Sequence, residues 1–97
     1  MRTRQPAIYI MANRSNGTIY TGVTSDLIKR VYQHKNADTP GFTERYSCKS
    51  LFYYEVTDNM LSAIAREKQL KNGSRKKKLD LIEKMNPEWL DLFESLL

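Results

Sequence analysis

The chain has 97 residues, 40% hydrophobic and 28% charged, which predicts one globular domain, residues 1–97, with a modest core. No apolar run approaches the roughly 18 residues that a membrane-spanning helix needs, and the N-terminus lacks a signal-peptide core, so we expect a cytoplasmic protein without membrane contact. A single cysteine and a single histidine exclude an internal disulfide framework and a Cys/His zinc cluster, and the net charge of +5 favours a polyanionic partner.

Two short strands are predicted first along the chain, at residues 7–13 and 18–23. β-Favouring residues fill both segments, and a turn containing Asn16-Gly17 separates them. The turn can consist of these two residues or of a four-residue loop, 14–17. Each side chain lies on the same face of the sheet whichever of the two turns forms, because side chains alternate along a strand with a period of two and the two turns differ by two residues.

Tyr9 and Tyr20 share one face of this hairpin in both versions, whereas a three-residue loop would separate them. The opposite face is apolar and contains Ile8, Ile10, Ile19, Thr21 and Val23. This pattern predicts a sheet that helices cover on one side and that opens into a cleft on the side of the phenols. Alternatively, the two tyrosines are strand-favouring aromatic residues half buried in the core.

A helix is predicted to begin near Ser25, with Leu27 and Val31 on its buried stripe. Arg30 and His34 are four residues apart, so both lie on one flank beside that stripe. Two tyrosines, an arginine and a histidine can therefore converge on one place. Taken alone, a histidine on a helix flank is more often a surface or capping residue.

A loop is predicted over residues 36–49, where two aromatic residues alternate with Arg45 and Lys49. Interleaved rings and bases are typical of a segment that lies along a nucleic-acid backbone, but the rings could equally fasten the loop to the domain. The following segment, 50–56, is apolar and β-rich. It is predicted to pair beside the hairpin and complete a three-stranded sheet.

A helix from Asn59 to Asn72 carries a glutamate where an apolar residue is expected. Its apolar stripe contains Met60, Ala63, Ile64 and Leu70. Glu67 falls in the middle of this stripe, and burying an unpaired carboxylate is costly, so a partner is expected. That partner is either an ion-paired Arg30 or Lys71, or a divalent cation.

Gly73 and Ser74 are predicted to end this helix and begin the next. Four consecutive bases occupy the first turn of the new helix: Arg75, Lys76, Lys77 and Lys78. Bases at a helix N-terminus oppose the helix dipole. Either they form a solvated face or phosphate contact retains them there, and the net charge favours phosphate.

The last helices are predicted to be held by apolar side chains. The basic helix is anchored by Leu79, Ile82 and Met85. Asn86-Pro87 then has the pattern of an N-cap and first position of a final helix. Its packing residues are Trp89, Leu90, Phe93 and Leu97. No chemistry is assigned to this segment.

One set of residues resembles a known family: Ala7-Ile8-Tyr9, Tyr20-Thr21-Gly22, Arg30, His34 and the later Glu67. Their spacing is similar to that of the GIY-YIG nuclease family. Ala7 and Thr21 replace the glycine and isoleucine of the family name, but the tyrosines and the closing glycine are the residues that matter for its chemistry. The resemblance covers nearly the whole chain, and it is to small stand-alone members related to the nuclease domain of the bacterial excision-repair incision subunit.

This resemblance implies an α/β (α+β) fold, with a small three-stranded antiparallel sheet flanked by helices. It also implies a metal-dependent DNA endonuclease, a hydrolase of phosphodiester bonds, with a connection to DNA repair. The implied catalytic residues are Tyr9, Tyr20, Arg30, His34 and Glu67, with Glu67 as the metal ligand. The residues expected to bind nucleic acid are Lys71, Arg75, Lys76, Lys77, Lys78, Arg45 and Lys49. The family often has a supporting asparagine after the glutamate, and both Asn72 and Asn86 remain open for that role.

A mechanism follows from the charges that phosphodiester cleavage requires. One carboxylate, Glu67, cannot hold two metals, so a single Mg²⁺ or Mn²⁺ is expected to bind the scissile phosphate and the leaving oxygen. Arg30 would clamp the non-bridging oxygens. Tyr20 would deprotonate the attacking water, assisted by Tyr9 or His34, and His34 is the alternative base.

Three classes of function are compatible with the sequence. The first is the DNA endonuclease, with RNA as a substrate left open. The second is a catalytically inactive nucleic-acid-binding module of the same fold, which would show salt-sensitive binding without cleavage. The third is a protein-interaction domain, which would lack that salt dependence. Every expected catalytic residue type is present, and this favours the endonuclease.

Overall fold

The computed structural model describes residues 5–36 and 48–97. It contains an antiparallel sheet of order β2-β1-β3, built from β1 (Ala7–Ala12), β2 (Ile19–Thr24) and β3 (Ser50–Val56). The helices are α1 (Leu27–Lys35), α2 (Met60–Lys71), α3 (Arg75–Met85) and a short 3₁₀ helix (Phe93–Leu96). The predicted three-stranded sheet flanked by helices is confirmed. No helix in the described ranges is both long and apolar enough to cross a membrane.

The hairpin closes through a loop four residues long, so the two-residue turn is wrong. Met11 pairs with Tyr20 in the observed register. The side chain of Asn13 accepts a hydrogen bond of 2.9 Å from the backbone N–H of Thr18. Asn16 adopts a φ of 56°, which asparagine tolerates. The local bonding of Asn13 therefore widens the turn while Tyr9 and Tyr20 keep a common face.

Helices cover both faces of the sheet. Ile8 and Ile10 belong to the core beneath α2 and α3, together with Phe52, Ala63, Leu70 and Ile82. The opposite core contains Tyr9, Met11, Leu27, Val31 and Leu51, with the 3₁₀ helix packed against it. The expectation of an open cleft over the tyrosine face is thus wrong for Tyr9. This residue is fully buried because α1 folds back over the central strand.

The helix starts follow the capping residues of the sequence. Asp26 accepts from the backbone of α1, Asn59 from that of α2 and Ser74 from that of α3. Two predicted core positions are wrong, because Ile64 and Met85 lie at the surface. Arg45 and most of the predicted loop 36–49 lie outside the described residues.

The predicted helix after Asn86-Pro87 is wrong. The Asn86 side chain is buried and bonds to the backbone of Phe52 and Leu90 instead of capping a helix. Trp89 has a φ of 53°, which interrupts a right-handed helix. Trp89 and Phe93 do pack inwards, but Leu90 and Leu97 are exposed. Side-chain bonds to the backbone therefore replace the helix that the Asn-Pro pattern indicates.

Asp91 fixes the same C-terminal segment to the sheet. Its carboxylate accepts hydrogen bonds from the backbone N–H groups of Leu51 and Phe93, and it forms an ion pair with Lys35 of α1. Cys48 is buried nearby in the tyrosine-face core, where burial raises the pKa of its thiol. The thiol is directed at the carbonyl of Thr18.

Candidate active site

The phenol of Tyr9 lies between Arg30 and His34. β1 is the central strand, and the two α1 residues are one helical turn apart, so both side chains reach the same hydroxyl. Tyr9 Oη is 2.9 Å from His34 Nε2 and 3.4 Å from Arg30 Nε. An arginine can only donate, so the phenol oxygen accepts from Arg30, while the histidine tautomer decides whether the phenol or Nε2 donates in the contact between Tyr9 and His34. The predicted convergence of these three residues is observed.

Burial sets the protonation of this cluster. It raises the pKa of Tyr9 to about 12, although the hydrogen bond from Arg30 acts in the opposite direction. Burial, with the charge of Arg30, lowers the pKa of His34 to about 4. Both groups are therefore neutral at neutral pH. Nε2 of His34 is engaged by Tyr9, so this histidine orients the phenol rather than offering that nitrogen to solvent.

Gly22 provides the space that the Tyr9 ring occupies. It pairs with Tyr9 across the β1–β2 ladder. A Cβ atom at this position would lie 2.5 Å from both Cζ and Oη of Tyr9, far inside van der Waals contact, and 3.0 Å from the Tyr20 ring. The last residue of the Tyr20-Thr21-Gly22 motif is thus a glycine for a steric reason.

Tyr20 is the phenol on the accessible side of the cluster. It is half buried on edge strand β2, with its ring centroid 5.6 Å from that of His34 and 6.3 Å from that of Tyr9. Its side chain lines a shallow cleft of ≈ 250 Å³ together with Lys71 and Lys78. A ligand from solvent can therefore reach Tyr20, whereas Tyr9 is enclosed.

Arg30 links the buried cluster to a second surface cleft. It lines a cleft of ≈ 270 Å³ together with Asp26 and Lys29. Its Nη1 is 3.5 Å from Oε1 of Gln33, while Nε is bonded to Tyr9. Gln33 was not predicted as a site residue. Its position three residues after Arg30, on the same helix face, is the sequence signal that could have identified it.

Glu67 is a nearly buried residue of α2 and is ion-paired with Lys71 of the same helix. The side chain of Glu67 is only 13% exposed, and its Oε2 lies 3.0 Å from Nζ of Lys71, which is 50% exposed. Of the alternatives from the sequence, the structure shows the pair with Lys71. Burial is the main cause of the raised pKa of Tyr9, and the charge of Glu67 is the smallest contribution to it. Lys71 also lines the Tyr20 cleft, so the ion pair links Glu67 to that cleft.

The described residues can supply only a few of the ligands of a metal ion. Within them, no group of three or more His, Cys, Asp or Glu side chains could hold a metal. Such an arrangement does not fit a closed structural site of the zinc type. A single carboxylate with a half-exposed lysine as its neighbour does fit Mg²⁺, which keeps several waters and takes other ligands from a phosphate substrate.

The basic residues predicted to contact nucleic acid have different surroundings. Arg75 donates hydrogen bonds of 3.0 and 2.7 Å to the carbonyls of Asn16 and Gly17 in the hairpin loop. Lys76 pairs with Asp80 one turn later in α3. Arg75 is therefore engaged by the fold itself.

The remaining predicted bases differ in how accessible they are. Lys77 is exposed, and Lys78 is half buried and lines the Tyr20 cleft. Lys49 is also exposed, with its carbonyl bonded to Lys35. Of the two asparagines left open, Asn72 is the exposed C-cap of α2. Asn86, as described above, holds the C-terminal segment.

Comparison with known proteins shows where the chain has relatives. Residues 5–80 match the family model described as the GIY-YIG catalytic domain. A UPF0213 protein of Staphylococcus saprophyticus is 37% identical over 75 residues, which cover 77% of this chain and 90% of that protein. A UPF0213 protein of Syntrophus aciditrophicus is 35% identical over 82 residues, covering 84% and 92% of the two chains.

A solved structure has a similar fold. The solution NMR structure of a UPF0213 protein from Bacillus halodurans superposes with a TM-score of 0.56. The superposition covers 93% of this chain and 95% of that one, at 22% sequence identity. The names of these relatives state no activity.

Proposed function

Because this chain belongs to the GIY-YIG catalytic domain family of nucleases, we propose that it is an endonuclease that hydrolyses DNA phosphodiester bonds with a single divalent cation. Nucleases of this family generally use a divalent metal. The observation that carries the proposal is the hydrogen-bonded cluster of Tyr9, Arg30 and His34 beside the accessible Tyr20. Glu67 is ion-paired with Lys71, which lines the same cleft as Tyr20.

Arg30 has two roles in the proposed site. Its Nε bonds to Tyr9, which fixes the guanidinium against the sheet, and its side chain also lines a surface cleft. A guanidinium can bind two oxygens of one phosphate through parallel hydrogen bonds. Arg30 would therefore orient the scissile phosphate and stabilise the negative charge that its oxygens gain as water attacks.

Tyr20 is the proposed proton acceptor for the attacking water. It is the phenol that solvent reaches, and Lys71 and Lys78 line the same cleft. Lys78 forms no ion pair with the described carboxylates, and its ammonium group would stabilise negative charge that develops on the Tyr20 oxygen. Tyr9 and His34 are both neutral and hydrogen-bonded to each other, so they serve to position Arg30 and the aromatic cluster.

Glu67 is the proposed ligand of the divalent cation. Such an ion polarises the phosphate and stabilises charge on the leaving oxygen when it is bound. Lys71 neutralises Glu67 in the structure, and its half-exposed side chain can swing into solvent when another cation takes its place. The Glu67–Lys71 pair would then keep this nearly buried carboxylate compensated in the absence of metal.

Cleavage of a panel of labelled DNA and RNA substrates tests the proposal. Wild type should cleave DNA in Mg²⁺ or Mn²⁺ and not in EDTA, and Arg30→Ala and Glu67→Ala should not cleave. A preference for branched or damaged duplexes would support a role in DNA repair. Salt-sensitive binding without cleavage under any of these conditions would refute the endonuclease and leave a nucleic-acid-binding module of the same fold.

A further inference from the structure

A cleft on the described surface lies between α2 and α3, and none of the Tyr9 cluster residues lines it. Its volume is ≈ 360 Å³. Four of the side chains that line it are basic: Arg66, Lys77, Lys78 and Lys84. Leu70 and Leu81 contribute apolar surface between them. The cleft thus combines an apolar lining with basic residues, and a positively charged groove is the feature by which proteins follow a nucleic-acid backbone.

Most of the negative charge near this cleft is already neutralised. Arg66 donates to both oxygens of Glu55 at 2.9 Å, so that pair is internally balanced. Asp80, the one carboxylate among the described lining residues, is bonded to Lys76. No carboxylate of the described residues forms an ion pair with Lys77, Lys78 or Lys84. Three lysines are therefore available to an external anion.

These lysines are spaced along the cleft rather than gathered at one point. Lys77 and Lys84 are seven residues apart on α3, so they lie on one face about 10 Å apart along the helix axis. One strand of duplex DNA rises about 3.4 Å per phosphate, so this distance corresponds to about three nucleotides. A single phosphate ion would be too small to contact both lysines, whereas a strand would contact them in succession.

Lys78 joins this cleft to the proposed active site. It lines both the α2–α3 cleft and the smaller cleft that contains Tyr20 and Lys71. A continuous polyanion that enters the Tyr20 cleft would therefore pass Lys78 and continue along the face that bears Lys77 and Lys84.

We infer that the α2–α3 cleft binds the nucleic-acid strand that flanks the scissile phosphate, with Lys77 and Lys84 as phosphate contacts and the Leu70–Leu81 surface beneath the sugars or bases. This inference rests on the proposed nuclease function, because that function makes a nucleic-acid strand the partner of the site. It adds Lys84 as a substrate contact and fixes the side of the active site along which the strand runs.

Oligonucleotide binding in EDTA tests the inference without any contribution from cleavage. Fluorescence anisotropy with a labelled single strand, repeated over a range of salt concentrations, gives the slope of log affinity against log salt. Lys77→Ala and Lys84→Ala should each reduce the magnitude of this slope by about 0.7, the value for one lost phosphate contact on a single strand. Lys84→Arg should restore it.

Lys68→Ala is the matched control. Lys68 is an exposed lysine of α2 on the face opposite the cleft-lining Arg66, Leu70 and Gly73, so its loss changes the net charge equally. It should leave the slope unchanged. A strand too short to pass from the Tyr20 cleft into the α2–α3 cleft should bind wild type and Lys84→Ala equally. All substituted lysines are exposed, and thermal denaturation checks that each variant is folded.

Several outcomes overturn the inference. It is wrong if Lys77→Ala and Lys84→Ala match Lys68→Ala, or if wild type binds no oligonucleotide. Binding of polyglutamate that depends on Lys84, with unchanged oligonucleotide affinity, would assign the cleft to an acidic protein segment and also overturn it. If wild type cleaves DNA but the salt slopes of Lys77→Ala and Lys84→Ala match that of Lys68→Ala, the nuclease proposal stands and only the inference about the cleft fails. Cleft-dependent binding without cleavage would instead refute the nuclease and support the strand contact.

Discussion

The hydroxyl of Tyr9 and Nε2 of His34 are 2.9 Å apart and both side chains are buried. This contact joins the central strand to α1, and Arg30 completes it from the other side of the phenol. Tyr9 lies on β1 and both of its partners lie on α1, 21 and 25 residues later in the sequence. Removing the Tyr9 hydroxyl or the His34 ring takes this hydrogen bond from a buried polar group, so the contact can be tested through stability as well as activity.

Tyr9→Phe should destabilise the protein although it removes a single oxygen atom. The buried His34 nitrogen would lose its partner, which costs about 1–3 kcal/mol in the free energy of unfolding. DNA cleavage should fall by about 10²-fold, because Arg30 also loses the group that orients it. Urea denaturation and single-turnover cleavage measure the two effects.

Tyr54→Phe is the control for this experiment. Tyr54 pairs with Tyr9 on the neighbouring strand, is half buried and forms no side-chain hydrogen bond within the described residues. Its substitution should change the free energy of unfolding by less than about 0.5 kcal/mol. Equal effects of the two substitutions would contradict the role given to the Tyr9 hydroxyl.

Acid should destabilise the protein through His34. The pKa of His34 is lowered from 6.5 to about 4 by burial and by the charge of Arg30. The unfolded chain therefore binds a proton before the folded protein does, and stability is complete above about pH 6.5 and lost as the pH falls towards 4. We expect a loss of about 2 kcal/mol between pH 7 and pH 5 from this group.

The measurement is the free energy of urea unfolding at pH 7 and pH 5 for wild type and for His34→Gln. The carboxylates titrate in both proteins, so the difference between the two pH dependences isolates the histidine. Wild type should lose more stability than the variant. An equal loss in both would show that His34 is not protected from protonation in the folded protein.

Gly22→Ala should disturb the site from the β2 strand. The added methyl group would lie 2.5 Å from Cζ and Oη of Tyr9, so the ring must move or the strands must separate. We expect a loss of about 1–3 kcal/mol in the free energy of unfolding, together with impaired cleavage. A double-mutant cycle with Tyr9→Leu checks the cause, since the cost of Gly22→Ala should fall when the ring is absent. Additive costs would contradict the steric explanation.

Arg75→Ala should act on the hairpin loop rather than on nucleic-acid binding. The guanidinium bonds to the carbonyls of Asn16 and Gly17, and hydrogen bonds to charged groups contribute about 1.5–3 kcal/mol. Because these bonds are partly solvent-exposed, we expect a loss at or below the lower end of this range. Hydrogen exchange of the loop amides should accelerate, while the salt dependence of DNA binding stays unchanged. A reduced salt slope with unchanged exchange would instead make Arg75 a phosphate contact.

The sequence was sufficient for the parts of the fold that follow from periodicity. The shared face of Tyr9 and Tyr20 depends only on the alternation of side chains, so it is the same for the observed four-residue loop as for the two-residue turn. Arg30 and His34 lie together because they are four residues apart on one helix. The length of the hairpin loop could not be predicted, because it depends on the Asn13 side chain bonding to Thr18.

The errors lie where a tertiary contact overrides a local pattern. Asn86-Pro87 has the pattern of a helix start, but the buried Asn86 side chain bonds to Phe52, a partner 34 residues away in sequence. The position of Glu67 in an apolar stripe correctly indicated a paired carboxylate. Which cation pairs with it could not be decided, since Lys71 and a metal ion satisfy the same electrostatic requirement.

The role of Glu67 is the central claim, and the single-turnover rate of DNA cleavage in Mg²⁺ tests it most directly. Glu67→Gln keeps the shape of the side chain and removes its charge, and the lost pair with the half-exposed Lys71 should cost under about 1 kcal/mol of stability. Glu88→Gln removes an exposed carboxylate as the control. We predict that Glu67→Gln binds DNA normally but cleaves more than about 10²-fold more slowly than wild type and Glu88→Gln. Cleavage by Glu67→Gln at the wild-type rate would contradict the account.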